Sequence, residues 1–370
     1  MALAPAATKR HNACGMTAPN PLPLSILDLV PLANGMTSAQ ALANSLDLAR
    51  RADALGYTRL WYAEHHNMPA IASTTPEIMI TRAGMVTSRI RLGSGGVMLP
   101  NHSPLKVAET YRLLEAMLPG RVDLGLGRAP GTDPTTALAL RRSREAVYAD
   151  DFPAQLGELL AFGGRREFPR GHAFAGVSAQ PDDVPLPPVW LLGSSDYSAH
   201  LAAQTGHAFS FAAHFSPTSP EGPMLDYRKR FRPGAIERPH AMLALSVFCA
   251  PTREEAELMA IPTLVAFARL RTGRPSRLLN AVEARTYRFT PAEAAAVESI
   301  RSAQIIGTPD SVKARIDELV ALTQADEVMI AMFAADHSER LRSFELLAEA
   351  YGLQRTAPAT GEVAAPPPDR

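Results

Sequence analysis

The stretch GRVDLGLGRAPG, Gly120 to Gly131, decides between two readings of an alternating α/β chain. Paired glycines on an apolar run invite comparison with the phosphate-binding turn of an open, doubly wound sheet. That turn needs a third glycine at a fixed offset, a place after the first strand, and a helix opening directly from it. Gly125 and Gly127 lie in a fourth strand, Arg121 to Gly127, lack the third glycine, and open no helix. The segment therefore reads as one strand of a longer parallel series.

The same rhythm extends in both directions. Before it come strand Leu24 to Val30, helix Ser38 to Leu55 stopped by Gly56, strand Thr58 to Ala63, helix Pro76 to Thr87, strand Ile90 to Leu99, and helix Pro104 to Met117. After it come a helix around Ser143 to Leu160 and a Gly/Pro-rich excursion to Pro188. Then follow strand Pro188 to Leu192, helix Ser195 to Thr205, strand Ala208 to Ala213, helix Pro220 to Phe231, and strand Ala241 to Cys249. Helices Arg253 to Leu270 and Pro291 to Ser299 precede the last unit, where Ile305 to Pro309 leads into helix Asp310 to Thr323, strand Glu327 to Phe333 and helix Ser338 to Tyr351. About eight parallel strands, with insertions before the fifth and eighth, predict a closed (β/α)8 barrel of the TIM type. One barrel domain is expected over 22–354, with flexible tails at 1–21 and 355–370, where no periodic apolar face exists to bury.

Composition narrows the function classes. The 370 residues are 46% hydrophobic and 20% charged, with 37 Lys+Arg against 37 Asp+Glu, which suits a large globular core and gives no attraction to polyanions. Nucleic-acid binding is not expected. The sequence contains no apolar run of membrane-spanning length, and its start has no signal-peptide block, so neither membrane insertion nor export is expected. Two cysteines, Cys14 and Cys249, without metal-ligand spacing point to a reducing, cytoplasmic setting and no metal site.

In a barrel, chemistry gathers at the carboxyl ends of strands. Four such ends are polar: Glu64-His65-His66-Asn67, Asn101-His102, Arg128, and Gly193-Ser194-Ser195. An imidazole at a strand end suits proton transfer, and equally suits fastening a loop. Neighbouring residues in extended chain point to opposite sides, so His65 and His66 do not address one ion together. The small-residue turn at Gly193 presents free N–H groups to an anion, or is a serine N-cap. Arg128 carries a fixed charge that needs an anionic ligand, or an internal partner in Asp133 or Glu64.

Taken together, LWYAEHHNMP (Leu60 to Pro69), IRLGSGGVMLPNHSPLKVAE (Ile90 to Glu109), GRVDLGLGRAPGTD (Gly120 to Asp133), PVWLLGSSDYSAHLAAQTG (Pro188 to Gly206) and IIGTPDSVKARIDEL (Ile305 to Leu319) resemble the bacterial-luciferase-like flavin monooxygenases. The resemblance runs from about Leu24 to Leu353. It implies a barrel, usually dimeric, with FMN across the carboxyl-end mouth. It also implies His65 as catalytic base and His66 as structural. Arg128, Gly193, Ser194, Ser195 and Ser198 would be phosphate contacts, with Asn101 near the mouth as a further cofactor-binding residue and Arg144, rather than Arg141 or Arg142, as a second phosphate arginine. Gly127 and Ser194 stand where the light-emitting member has a cysteine and a glutamate, so light emission is not expected.

The resemblance implies a monooxygenase in which reduced FMN, delivered by a separate flavin reductase, and O2 oxygenate a small organic substrate. Relatives with this barrel also transfer hydride with a deazaflavin, and a non-catalytic flavin-binding protein is the reading from another class. Homodimer contacts are expected on helices Pro76 to Thr87 and Pro104 to Met117.

Overall fold

Local signals start and stop the first unit. β1 (Leu24–Asp28) leads to α1 (Ser38–Leu55), where the Gln40 amide donates to the Thr37 hydroxyl and the Thr37 N–H donates to the Gln40 side chain. Gly56 ends the helix at φ +88°, and a Cβ there would come within 2.5 Å of the Gln354 carbonyl oxygen. Left-handed backbone and close packing therefore both require glycine. The structure, a computed structural model, describes residues 22–354; both expected tails lie outside the described residues.

The chain continues through β2 (Arg59–Tyr62), α2 (Pro76–Gly84), β3 (Arg91–Ser94), β4 (Val97–Met98), α3 (Pro104–Met117), β5 (Val122–Gly127), α4 (Pro134–Arg141), α5 (Arg144–Tyr148) and α6 (Phe152–Phe162). Next come β6 (Val189–Gly193), α7 (Asp196–Thr205), β7 (Ala208–Ala212), α8 (Glu221–Arg230), β8 (Ala241–Cys249) and α9 (Arg253–Arg271). The last elements are α10 (Ala281–Thr286), α11 (Pro291–Arg301), β9 (Gln304–Gly307), α12 (Pro309–Thr323), β10 (Glu327–Ala331) and α13 (His337–Ala350).

Strands β1, β2, β3, β5, β6, β7, β8 and β10 pair in that order, all parallel, and β10 returns to β1. This is the expected closed eight-stranded α/β barrel, with the long insertions before its fifth and eighth strands. β8 is nine residues long: its lower part pairs with β10, and Ser246 to Cys249 pair with β9. The segment expected only to lead into a helix is thus a short strand outside the ring.

Two other expectations change. The strand over 90–99 is broken into β3 and β4 around the cis peptide Gly95–Gly96. The helix over 143–160 is two helices, α5 and α6, because Pro153 in the first turn of α6 lacks the N–H that a continuous helix would use.

Inward-facing side chains change character along the barrel. At the amino end Arg59 bridges Asp123 (2.8 Å) and Glu327 (2.9 Å), and Arg91 binds Asp123 at 2.5 Å. Trp61, Trp190, Met242 and Met329 fill the middle, with the two indoles edge to face at 5.3 Å. Ala63, Ala244 and Ala331, the small members of the same cluster, lie toward the carboxyl end.

Candidate functional site

Glu64, one residue past the inward Ala63, organises the loop after β2. Its fully buried carboxylate accepts hydrogen bonds from His66 Nε2 (2.9 Å), His102 Nε2 (2.9 Å) and the Met98 N–H (2.9 Å). Burial alone would raise its pKa, but hydrogen bonds from His102 and His66 bring it down to about 2. His102 moves the other way: burial opposes its charge, and the Glu64 carboxylate more than offsets this and raises its pKa. His66 and His102 therefore hold the loop through an internal anion.

His65 points elsewhere. Its Nδ1 lies 3.1 Å from the Gly131 carbonyl oxygen, which can only accept. The ring must carry a proton on Nδ1, and its Nε2 has no hydrogen-bond partner among the described residues. Burial lowers the His65 pKa despite the Gly131 contact and the Glu64 charge. A neutral imidazole with a bare Nε2 results, which is the form a general base requires.

The loop after β5 clamps this arrangement. The Thr132 hydroxyl donates to the His66 carbonyl at 2.7 Å, and the Asn67 amide donates to Asp133 at 2.9 Å. Asp133 also accepts from the Thr135 and Thr136 N–H groups at the start of α4. Neither Asp133 nor Glu64 is the partner of Arg128, contrary to the two internal pairings considered from sequence.

Arg128 instead leans across to the neighbouring strand. Leu126 is in register with Leu191, so Arg128 follows β5 at the height where Gly193 ends β6. Its guanidinium lies over the ring of Tyr197, 4.0 Å from Cζ to the centroid, and only a loose 3.7 Å contact links it to the exposed Asp150. Tyr197 is in the first turn of α7, between Ser195 and Ser198. A Cβ on Gly193 would sit 2.2 Å from Ser198 Oγ, so only glycine lets this turn fold so tightly over the helix start. Ser195 makes no side-chain cap, which leaves its hydroxyl and the first helical N–H groups available. Arg128, Gly193, Ser194, Ser195 and Ser198 are thus brought together, and Gly131, three residues after Arg128, holds His65.

The other two expected residues are placed differently. Asn101 has both ends of its amide engaged, donating to the Pro130 carbonyl (3.1 Å) and accepting from Arg141 Nε (3.0 Å). Arg144 is exposed at the start of α5, whereas Arg141 is partly buried and its Nη2 has no partner. His214 was not singled out from the sequence, although FAAHF places it just past a strand end like the other polar residues. Burial lowers its pKa to about 4 despite a contact of the ring with the Ala244 backbone, and its Nδ1 is sealed from solvent.

A cavity of about 890 Å³ opens at the opposite, amino end of the barrel, lined by Arg59, Arg91, Trp190 and His240. Its charged lining already serves Asp123 and Glu327, away from the strand ends where the candidate residues converge. Among the described residues no group of three or more His, Cys, Asp or Glu could hold a metal ion, and no helix is long and apolar enough to cross a membrane.

Residues 22–327 match the family model for luciferase-like monooxygenases. The chain is 44% identical to the protein YvbT of Bacillus subtilis (strain 168) over 89% of its own length and 96% of the relative's. It is 41% identical to a luciferase-like monooxygenase of Escherichia coli (strain K12), covering 87% of this chain and 95% of that one. Among solved structures, apo-MsnO8 superposes with a TM-score of 0.81 at 34% identity, over 90% of this chain and 99% of the other. The polar strand ends and the turn at Gly193 therefore belong to a member of the luciferase-like monooxygenase family.

Proposed function

We propose that this protein is a flavin-dependent monooxygenase that uses reduced FMN and O2 to oxygenate a small organic substrate, with a separate reductase delivering the reduced flavin. The observation that carries this reading is the meeting of Arg128 with the opening of α7, in a loop system that also fixes His65.

A phosphate suits the first of these places. Arg128 supplies a full positive charge, and the α7 start supplies oriented N–H groups and the Ser195 hydroxyl. The FMN phosphate would be held there by Arg128, Gly193, Ser194, Ser195 and Ser198, with Arg144 as a further cation able to swing in from the exposed start of α5. Asn101 contributes by holding the Pro130 carbonyl and Arg141, and so shapes the loop after Arg128. The bound flavin supplies the electrons and the oxygen chemistry. His65 Nε2 takes up or holds the proton, while Gly131 keeps the ring in the required tautomer. The loops clamped by Thr132 and Asp133 limit water at that nitrogen.

We also infer a homodimer formed through α2 and α3. Ile78 and Met85 on or beside the first, and Leu113 and Met117 on the second, are exposed large apolar side chains on two helices that pack together. The buried free thiol of Cys249 fits a reducing, cytoplasmic setting.

The test is to titrate the purified protein with FMN and with a deazaflavin, then to follow O2 uptake and product formation with reduced FMN and a panel of small organic substrates. Tighter binding of FMN and oxygenated product support the reading. A preference for deazaflavin with hydride transfer, or flavin binding without turnover, supports one of the other two functions instead.

A further inference from the structure

We propose that the cavity between the loop after β2 and helix α9 takes the apolar end of the substrate, so that the compound oxygenated carries an uncharged alkyl or aryl group there. The inference rests on the FMN reading above and names a substrate class for it.

Its first support is position. The cavity, of about 50 Å³, is bounded by Leu29 just past β1, the loop after β2 at Met68 to Ile71, Phe333 just past β10, and Ala266 and Phe267 of α9. β10, β1 and β2 are neighbours, and β1 stands four places from β6 in the ring of eight. A flavin seated by its phosphate on the Gly193 turn, at the end of β6, would therefore extend across the mouth toward this side. The loop that bounds the cavity also carries His65. The His65 N–H donates to the Ser73 carbonyl at 3.1 Å, and the Ser73 N–H donates to the Leu29 carbonyl at 3.4 Å.

The second support is the chemistry of the lining. No charged side chain faces the cavity, and its one hydroxyl, that of Ser276, donates to the Arg277 carbonyl (3.1 Å) and accepts from Arg269 Nη1 (3.1 Å). Such a space offers water no partners and favours an apolar group. A charged or hydroxylated end would lose its hydration there without replacement. The volume holds about four water-sized groups, which suits a short alkyl chain or the edge of a ring.

The third support is that the walls are fixed by the fold itself. The Thr263 hydroxyl of α9 donates to the Phe333 carbonyl at 2.5 Å, and the Leu32 and Ala72 N–H groups donate to the Ala70 (2.8 Å) and Val30 (3.0 Å) carbonyls. Val30, beside Leu29, holds φ +54°, a left-handed backbone rare for a β-branched residue. Asp28 fixes it, accepting from the Val30 N–H at 2.7 Å and pairing with buried Arg340 at 2.8 Å. Strain of this kind persists where the surroundings over-determine it.

The experiment titrates the FMN-bound protein with primary alcohols from ethanol to octanol and with 1,6-hexanediol, by ligand-observed NMR, in wild type, Ala266→Leu and Phe267→Ala. Thermal unfolding checks that each variant is folded. Wild-type affinity should rise about fourfold per methylene until the cavity is full, hexanediol should bind about tenfold more weakly than hexanol, and saturating hexanol should shift the visible spectrum of bound FMN. Ala266→Leu should remove the gain with chain length, Phe267→Ala should extend it to longer alcohols, and both should bind FMN as wild type does. Equal binding of hexanol and hexanediol by wild type, no spectral shift, or unchanged hexanol binding by a folded Ala266→Leu overturns the inference. Weakened FMN binding by folded Ala266→Leu assigns the cavity to the flavin and overturns the inference while leaving the FMN reading intact. Wild-type protein that takes up no FMN overturns both.

Discussion

The Arg128 guanidinium lies over the Tyr197 ring, 4.0 Å from Cζ to the centroid, and so joins the end of one barrel strand to the helix that follows the next. Tyr197 holds the charge beside the Gly193 turn, while the ion pair with Asp150 is long and exposed on both sides. Tyr197→Ala should release the guanidinium and weaken FMN binding about three- to fivefold, and Tyr197→Phe should leave it unchanged. Fluorescence titration of FMN against the two variants checks this.

His65 should serve the chemical step more than cofactor binding. His65→Ala is expected to lower turnover by about a hundredfold or more with little change in FMN affinity. Because burial lowers the His65 pKa, the base stays neutral at acidities that would protonate an ordinary histidine. The acid limb of the rate profile should therefore lie below pH 6.5, the ordinary histidine value. A limb above that value would show that another group is the base.

Glu64 should govern stability. Its pKa is depressed to about 2 from an ordinary 4.5, so its stabilisation is fully present above 4.5 and is lost as pH falls from there through about 2. The raised pKa of His102 acts with the opposite sense: its share is present below 6.5 and disappears as pH rises through its folded value. Glu64→Gln leaves two histidines without their anion and should cost about 3 kcal/mol. Urea unfolding across pH 2–7 should show a flatter acid limb in the variant than in wild type.

The exposed apolar side chains of α2 and α3 predict a salt-insensitive dimer. Met85→Asp combined with Leu113→Asp should give monomers in sedimentation or light scattering, with unfolding temperature and FMN binding little changed. A wild-type monomer, or a variant that remains dimeric, rules out this surface.

Much of the barrel was legible because its strands carry contiguous apolar runs and its helices carry caps, Thr37 and Gly56 being the clearest pair. β9 was not legible, since Gln304 to Gly307 form a strand only by pairing with the overlong end of β8 some sixty residues earlier in the chain. The break before α6 had a signal in Pro153, but the short helices α4 and α10 depend on local caps at Asp133 and Asn280. At the site, the residue types at strand ends were readable, whereas their partners were not. Glu64, an expected ion partner for Arg128, instead holds two histidines, and the Asn101 amide is engaged by Arg141 and Pro130. Such pairings depend on which loops meet across the mouth, and no local spacing records that.

The most direct measurement is the dissociation constant of FMN for Arg128→Ala beside wild type and His65→Ala at one ionic strength. Loss of a charge-assisted phosphate contact predicts binding about a hundredfold weaker for Arg128→Ala, with His65→Ala close to wild type. Equal affinities for wild type and Arg128→Ala would contradict the placement of the phosphate between Arg128 and the start of α7.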